Sequence, residues 1–444
     1  MRAHLENASY GLLDYAAYPA TMLAIAPALL RHLGTSGYGI LAFSMAAVNT
    51  GAIIASGFGD ANIQQIAIAR AAGETRSIRE TVRSTVGVHL ALGTTLAILG
   101  IVLAPRIALR VTSSEPSALH PCTQVLLISS ALVLVRTMET VAVSTQRAFQ
   151  SYADAVRISA AFRILTLVGA AGLASVGTSI QGIVLTIALL SLTSTLLQLY
   201  RLGRRVSFYS LVPSFERARI RALIAYGGFT WIQAVSGVIF SQVDRLLVGL
   251  SMGTVALGAY SLAAQLAQPI TGGTASALHF LFPHIALRNA RDGIASLRYT
   301  IYRAFACNAA MILLAATPLF LFGSRFMRIW AGAHNAALTA YAFPLLVVAS
   351  AFSGLSVTGN YALLALGAVR TVTWITFFAG CLMLALARPL TTELGIGGMA
   401  LARIACGITS LLLYVPLWRR LNPSQPFAVP AVEILPPAEE GTLR

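Results

Sequence analysis

The sequence predicts an all-α polytopic membrane protein with about twelve transmembrane helices in two pseudo-symmetric lobes of six. Of the 444 residues, 57% are hydrophobic and only 10% are charged, whereas soluble domains carry about 25% charged residues. Continuous apolar stretches of roughly 20 residues, the length that spans a bilayer, recur along the whole chain. A transmembrane β-barrel is disfavoured, because barrel strands alternate apolar and polar residues over about 10 positions, whereas these runs are continuously apolar.

The apolar stretches define twelve predicted spans in chain order. They cover residues 10–31, 38–59, 82–104, 119–141, 156–176, 180–199, 223–246, 254–280, 301–323, 339–366, 369–388 and 396–417. The longest polar segment before the tail divides them into equal halves. We therefore predict an N-terminal lobe (1–200), an Arg-rich cytoplasmic linker (201–222), a C-terminal lobe (223–420) and a Pro-rich tail (421–444).

The distribution of arginine predicts the orientation in the membrane. The net charge is +16, and all 31 basic residues are arginine. Twenty-one of them lie at the termini or in loops that follow even-numbered spans, and six lie on the opposite side. By the positive-inside rule, both termini are expected in the cytoplasm. This rule also accounts for the basic composition, so we expect no nucleic-acid partner, and the linker is expected to face phospholipid headgroups.

The two halves of the chain share short motifs. LGTSGYG at 33–39 compares with MGTVALG at 252–258, with Gly, Thr and Gly recurring at a shift of 219. SIQGIVLT at 179–186 compares with GIGGMALA at 395–402 at a shift of 216. Because each half has an even number of spans, the sequence predicts parallel repeats related by an axis along the membrane normal.

Motifs for several other functions are absent from the sequence. Without lysine there is no Walker A loop, and no HExxH motif or Cys/His cluster occurs. The four cysteines lie in or beside apolar runs and are interpreted as small apolar side chains. No outer loop is long enough for an enzymatic domain, and no filter-like repeat indicates a channel. A secondary transporter is therefore favoured over an enzyme or a channel.

Charged residues inside the predicted spans are the candidate functional residues. A charge at the bilayer centre costs about 2.5–3.5 kcal/mol, so such residues usually face a cavity or a partner. Arg136 and Glu139 stand one turn apart in the fourth span. They either line a cavity or neutralise each other within the packing. Arg163 shares one face of the fifth span with Ser159 and Thr166.

The other candidates lie in the first, seventh and last spans. Asp14 is either a cavity residue or a solvated cap, and Arg31 is either a cavity residue or an interfacial anchor. Arg403 either snorkels or pairs structurally. Asp244 and Arg245 are the only charged residues between Ala222 and Leu287, where Gln233 and Ser241 lie on the same side of the helix.

Asp244 and Arg245 point about 100° apart on a helix, so each is expected to have its own partner. Arg245 either locks the lobes together or contacts a ligand. Within the spans, Arg136, Arg163, Arg245 and Arg403 outnumber the two acids Glu139 and Asp244. This cationic interior suits an anionic cargo, because arginine binds phosphate through two hydrogen bonds.

Four stretches resemble the multidrug/oligosaccharidyl-lipid/polysaccharide (MOP) flippase superfamily. The first span pair carries an Arg-x-Leu-Gly-x-x-x-Tyr-Gly pattern starting at Arg31, and residues 244–266 carry Asp-Arg before a Gly-containing run and a Gly-x-Tyr. FPHIALR at 282–288 and GIGGMALA at 395–402 match later spans. The span number and length resemble the polysaccharide transporter and O-antigen flippase branch.

The resemblance implies a V-shaped bundle like that of the multidrug extrusion (MATE) proteins. It implies a flippase that moves undecaprenyl-diphosphate-linked oligosaccharides across a bacterial cytoplasmic membrane, for O-antigen, capsule or exopolysaccharide synthesis. The expected substrate-binding residues are Arg31, Arg136, Glu139, Arg163, Asp244 and Arg245. No cofactor is expected besides a coupling ion, H+ or Na+. The expected partners are membrane lipid and the polymerase and glycosyltransferases of the pathway.

Two alternatives stay open from the sequence. One is a cation-coupled multidrug extruder, although the Arg-rich interior favours a diphosphate over a cationic drug. The other is a membrane enzyme or scaffold of glycan assembly.

Overall fold

The computed structural model describes residues 2–149 and 152–422 of the chain, and these residues contain helices and no strand. The first half forms five long helices, the last of which continues into the predicted linker. They are α1 (Arg2–Ala71), α2 (Thr75–Val111), α3 (Leu119–Ala148), α4 (Tyr152–Ser175) and α5 (Ile180–Val206).

The second half contains five long helices and three short ones. They are α6 (Arg217–Ser241), α7 (Val243–Ala277), α8 (Leu281–Asp292), α9 (Leu297–Ala331), α10 (Ala333–Thr339), α11 (Ala342–Ala365), α12 (Val369–Ser410) and α13 (Tyr414–Leu421). Short 3-10 turns, such as Phe208–Leu211 in the linker, join some of them.

All twelve predicted spans correspond to helical segments. Helix α1 contains the first two spans, α12 and α13 contain the last two, and the seventh span is divided between α6 and the beginning of α7. Among the described residues, ten helical segments are long and apolar enough to cross a membrane. The fold is therefore the predicted all-α polytopic membrane bundle. The structure does not describe the side chains of Asp14 and Gln233. Residues 423–444 of the predicted tail also lie outside the described residues.

The repeated motifs mark the same backbone feature in both halves. Helix α1 is interrupted at Gly34 (φ 70°, ψ 175°), and α7 is interrupted at Gly253 (φ 86°, ψ −175°). Positive φ favours glycine at both positions because it has no Cβ. The two residues are 219 positions apart, so the shift in sequence corresponds to a repeated turn between consecutive spans.

The same motifs form the contact between the halves next to these turns. A Cβ atom on Gly39 would collide with the carbonyl oxygen of Thr254, and one on Gly258 would collide with the carbonyl oxygen of Thr35. Each glycine thus packs against the backbone of the other half, in two contacts related by the internal repeat. Small residues permit this close approach of helices in membranes. On the predicted topology, this contact closes the outer side of the bundle.

The linker is tied to the first half at the predicted cytoplasmic side. The backbone N–H of Ser214 donates to the carbonyl oxygen of Arg83 (3.1 Å), and Arg83 Nη1 donates to the Tyr209 hydroxyl (2.9 Å). Arg219, in the first turn of α6, donates to Glu80 of α2 (2.7 Å). Helix α5 continues to Val206 and α6 begins at Arg217, so residues 207–216 separate the two α-helices within the predicted linker.

The seventh span is not a continuous helix. Gln242 has φ −133° and ψ −32°, which ends α6 and begins α7. Helix α6 packs mainly along α1 and also against α12, and α7 packs against α1, α9, α11 and α12. Beyond Gln242, Gly249 lies against Phe43 of α1. The seventh span therefore contacts both halves of the chain on either side of Gln242.

We expect Gly39→Ala and Gly258→Ala each to separate the halves on the outer side, because a methyl group would take the place of the backbone contact. The measurement is the rate at which a water-soluble maleimide labels a cysteine at the partly buried Leu33, in protein whose four native cysteines are replaced. Labelling should rise several-fold in both variants.

The matched control is Gly172→Ala, since no atom lies within 4 Å of a Cβ at that helical glycine. If the two variants are labelled as slowly as this control, the glycine contacts do not close the outer side.

Candidate functional site

The Asp244 carboxylate lies at the centre of a buried polar cluster in the second half. Its side chain is 0% exposed. Oδ2 accepts hydrogen bonds from Arg403 Nη1 (2.6 Å) and from the Tyr260 hydroxyl (2.7 Å), and Oδ1 accepts one from the backbone N–H of Arg245 (2.8 Å). This cluster joins both segments of α7, on either side of Gly253, to α12.

The break at Gln242 explains why a carboxylate is stable at position 244. Asp244 lies in the first turn of α7, where backbone N–H groups have no partner within the helix. The positive end of the helix dipole favours an anion there. The ion pair with Arg403 supplies the counter-charge that a buried carboxylate requires. Asp244 and Arg245 thus have separate environments, and Arg403 pairs structurally, which was one of its two predicted roles.

Arg245 lies beside this cluster with different surroundings. Its side chain is partly buried, and its Nε atom is buried without a hydrogen-bond partner. A guanidinium N–H that is removed from water without a partner is costly. This unpaired donor makes Arg245 the candidate residue whose geometry most directly indicates an anionic ligand.

The second candidate cluster lies in the first half. Arg136 Nη1 donates to Glu139 Oε2 (2.7 Å) on the same helix, as the i, i+3 spacing predicted. Gln198 Nε2 of α5 donates to Glu139 Oε1 (3.3 Å) and to Ser159 Oγ of α4 (3.3 Å). The Arg136 side chain is 26% exposed and that of Glu139 is 9% exposed.

The two remaining candidate residues lie on α4 and α1. Arg163 is partly buried on α4, one turn beyond Ser159, and Arg31 is exposed three residues before the break at Gly34. The structure therefore distributes the six candidates over α1, α3, α4 and α7. It pairs Arg136 with Glu139, and it pairs Asp244 with Arg403.

Three further polar residues belong to these clusters. Gln198 was not singled out from the sequence, although an amide in an apolar span meets the criterion used for the charged residues. Tyr260 was visible only as part of the Gly-x-Tyr motif. The pairing of Arg403 with Asp244 joins residues 159 positions apart, and no local pattern indicates it.

A third buried polar network in the first half is centred on Asn62. Asn62 Nδ2 donates to Ser144 and Thr145 (both 2.9 Å), and Asn62 Oδ1 accepts from Thr85 (3.0 Å). Since both ends of the amide are bonded, this network has a packing role. No cluster of three His, Cys, Asp or Glu side chains suited to a metal ion occurs in the part of the chain that the structure describes.

A family model described as polysaccharide biosynthesis protein matches residues 8–287. No curated protein matches the sequence. The fold is similar to an inward-facing multidrug resistance MATE family transporter of the MOP superfamily, with a TM-score of 0.76 and 14% identity over 92% of this chain and 94% of that chain. It is also similar to the lipid II flippase MurJ in an inward closed conformation, with a TM-score of 0.70 and 14% identity over 94% of this chain and 86% of that chain.

An outward-facing structure of a multidrug resistance MATE family transporter also has this fold. It matches with a TM-score of 0.55, at 15% identity over 94% of this chain and 93% of that chain.

We expect Asp244→Asn to lower the unfolding free energy by about 3 kcal/mol, because it leaves the partly buried Arg403 without its counter-ion. The double variant Asp244→Leu/Arg403→Met should be less destabilised than this single variant, since it leaves no unpaired charge. Thermal unfolding of the detergent-solubilised protein measures the order of stability.

The control is Asp292→Asn, which breaks an exposed pair with Arg288 (3.6 Å) and should change the unfolding temperature little. Equal unfolding temperatures for Asp244→Asn and this control would contradict a structural role for the buried pair.

Proposed function

Because this chain belongs to the polysaccharide biosynthesis protein family, within the MOP flippase superfamily, we propose that it moves undecaprenyl-diphosphate-linked oligosaccharides between membrane leaflets. The transport runs from the cytoplasmic to the outer leaflet of a bacterial cytoplasmic membrane and supplies O-antigen, capsule or exopolysaccharide synthesis. The observation that carries the proposal is the buried Nε of Arg245, which has no hydrogen-bond partner, together with the partly exposed Arg136 in the other half.

Arginine suits the diphosphate of this cargo. The planar guanidinium donates two parallel hydrogen bonds to phosphate oxygens, and these bonds gain strength where water is scarce. Arg136 lies on α3, whereas Arg245 lies beyond the break in the seventh span. A diphosphate that reaches both residues draws the halves together. The polar sugars then lie between the lobes, while the lipid tail stays in the bilayer.

Transport follows an alternating-access cycle of the two lobes. A ligand shifts such an equilibrium only when it binds the two states with different affinity. A diphosphate held by arginines from both halves meets this requirement, because movement of the lobes changes the distance between those arginines. The sequence contains no Walker A loop, and the proposal is that the chain acts as a transporter rather than as an enzyme. The free energy for transport is supplied by an H+ or Na+ gradient or by removal of the product.

The arginine distribution supports cytoplasmic termini in this scheme. A fluorescent protein that matures only in the cytoplasm, fused after Arg444, tests this orientation. The flipped cargo is then delivered to a polymerase, and the glycosyltransferases of the same pathway supply it.

Deletion of the gene should cause the lipid-linked oligosaccharide to accumulate in the cytoplasmic leaflet and should abolish the surface glycan. In vesicles that contain the purified protein, a labelled prenyl-diphosphate oligosaccharide should become accessible from the opposite side. Loss of the glycan on intact cells and enzymatic access to the label are the two measurements.

The alternative function is a cation-coupled multidrug extruder, which the similarity to a MATE family transporter supports. Cation-dependent efflux of a cationic dye, without movement of the lipid-linked oligosaccharide, would establish this alternative. Turnover of a soluble sugar donor by the purified protein would instead identify a membrane enzyme.

We expect Arg245→Ala, Arg136→Ala and Arg163→Ala each to reduce translocation about tenfold or more, because each removes a charge-assisted hydrogen-bond donor worth about 1.5–3 kcal/mol. Protein levels in the membrane should stay unchanged. The measurement is the initial rate of translocation in vesicles, corrected for the amount of reconstituted protein.

The matched control is Arg325→Ala, which removes an exposed arginine near the outer end of α9. Full activity in all three interior variants would exclude the cationic binding site.

A further inference from the structure

The Arg136–Glu139 pair is built asymmetrically. The Glu139 carboxylate is buried, with 9% of its side chain exposed, whereas 26% of the Arg136 side chain is exposed. The guanidinium is therefore the more exposed group of the pair, and the carboxylate is the more buried one. A pair that served only to neutralise two charges within the packing would not need this difference in exposure.

The anion is also the more firmly held member. Glu139 Oε1 accepts a hydrogen bond from Gln198 Nε2, and the same amide nitrogen lies within hydrogen-bond distance of Ser159 and Ser194. Gln198 is 0% exposed, and its Oε1 atom has no hydrogen-bond partner. The carboxylate is thus fixed to α5 and, through Gln198, to α4, while the long Arg136 side chain has its own conformational freedom.

Separating this pair does not open an interface between helices. Arg136 and Glu139 lie on the same helix at i and i+3. Asp244 and Arg403 differ in this respect, because their ion pair joins α7 to α12. Arg136 can therefore leave Glu139 while α3, α4 and α5 keep their packing.

An arginine without a partner inside the membrane is costly. In a transporter whose cargo is anionic, that cost would arise in each cycle when the site is empty. It would also make the cargo bind too tightly to leave. A fixed carboxylate beside the arginine removes both problems, because it neutralises the empty site and competes with the cargo.

We propose that Glu139 is a resident counter-anion that holds Arg136 while the site is empty and releases it to a phosphate group of the cargo. The inference rests on the proposed function and adds a specific role in it: Glu139 sets the affinity for the diphosphate and allows its release. No covalent step or proton transfer is involved, since one anion replaces another at the guanidinium. Glu139 acts through Arg136 and is a positioning residue.

We expect Glu139→Gln to bind a diphosphate about tenfold more tightly than the wild-type protein and to translocate its cargo more slowly, since release becomes limiting. The probe is farnesyl diphosphate, added to the purified full-length protein in detergent, and the dissociation constant is measured by isothermal titration calorimetry. The translocation rate is measured in vesicles with the labelled prenyl-diphosphate oligosaccharide.

Three variants serve as controls. Glu139→Asp keeps the charge and should restore affinity and rate toward wild-type values. Asp292→Asn removes an exposed carboxylate and should alter neither quantity. In an Arg136→Ala background, Glu139→Gln should no longer tighten binding. If Glu139→Gln does not reach the membrane, Glu139→Met, of similar length, replaces it.

A purely structural role for Glu139 predicts weaker binding and a lower unfolding temperature. The inference is therefore overturned if Glu139→Gln binds farnesyl diphosphate as well as, or less well than, the wild-type protein. It is also overturned if binding tightens without slowing translocation. If the wild-type protein neither binds this probe nor translocates the oligosaccharide, the proposed function itself fails, and that result is distinct from a failure confined to Glu139.

Discussion

The structure depends on one constraint, namely that a charge within a low-dielectric bundle must have a counter-charge or a ligand. Asp244 shows how the chain satisfies it. The carboxylate is fully buried, and it accepts hydrogen bonds from Arg403, from Tyr260 and from the backbone of its own helix. Because a buried carboxylate requires a counter-charge, this ion pair links two segments that are far apart in the sequence. Arg245 is one position further along, and its buried Nε has no partner, so the same constraint indicates a ligand there.

The seventh span is held by charged contacts in both of its parts. Helix α6 packs mainly along α1 and is bonded to α2 through Arg219 and Glu80. The part that follows is bonded to α12 through Asp244. Both parts nevertheless contact both halves, since α6 also packs against α12 and Gly249 lies against Phe43 of α1. A division of the chain at the linker therefore describes the repeat in the sequence, whereas the seventh span contacts both halves along its length.

Much of this architecture could be predicted from the sequence, because hydrophobic length and arginine distribution are local properties. All twelve predicted spans are helical, and the shift of 219 correctly related Gly34 to Gly253. The pairing of Arg136 with Glu139 followed from helical spacing. The break at Gln242 could not be predicted, since no proline or glycine marks it. It is accompanied by the contact between Asp244 and Arg403, which depends on tertiary packing.

The internal repeat extends to the backbone but not to the charges. Gly34, Thr35 and Gly39 have counterparts in Gly253, Thr254 and Gly258 that make equivalent turns and contacts. Neither the shift of 216 nor that of 219 places an acidic or basic residue opposite Arg136, Glu139, Asp244 or Arg403. The contact on the predicted outer side involves the same motif from each half, so the glycines that form it can be repeated in the sequence. The cargo that we propose, a lipid-linked oligosaccharide, has a polar head and an apolar tail, and it has no two-fold symmetry that would match a repeated set of charges. The arginines that would bind its diphosphate are therefore expected to break the symmetry that the glycines preserve.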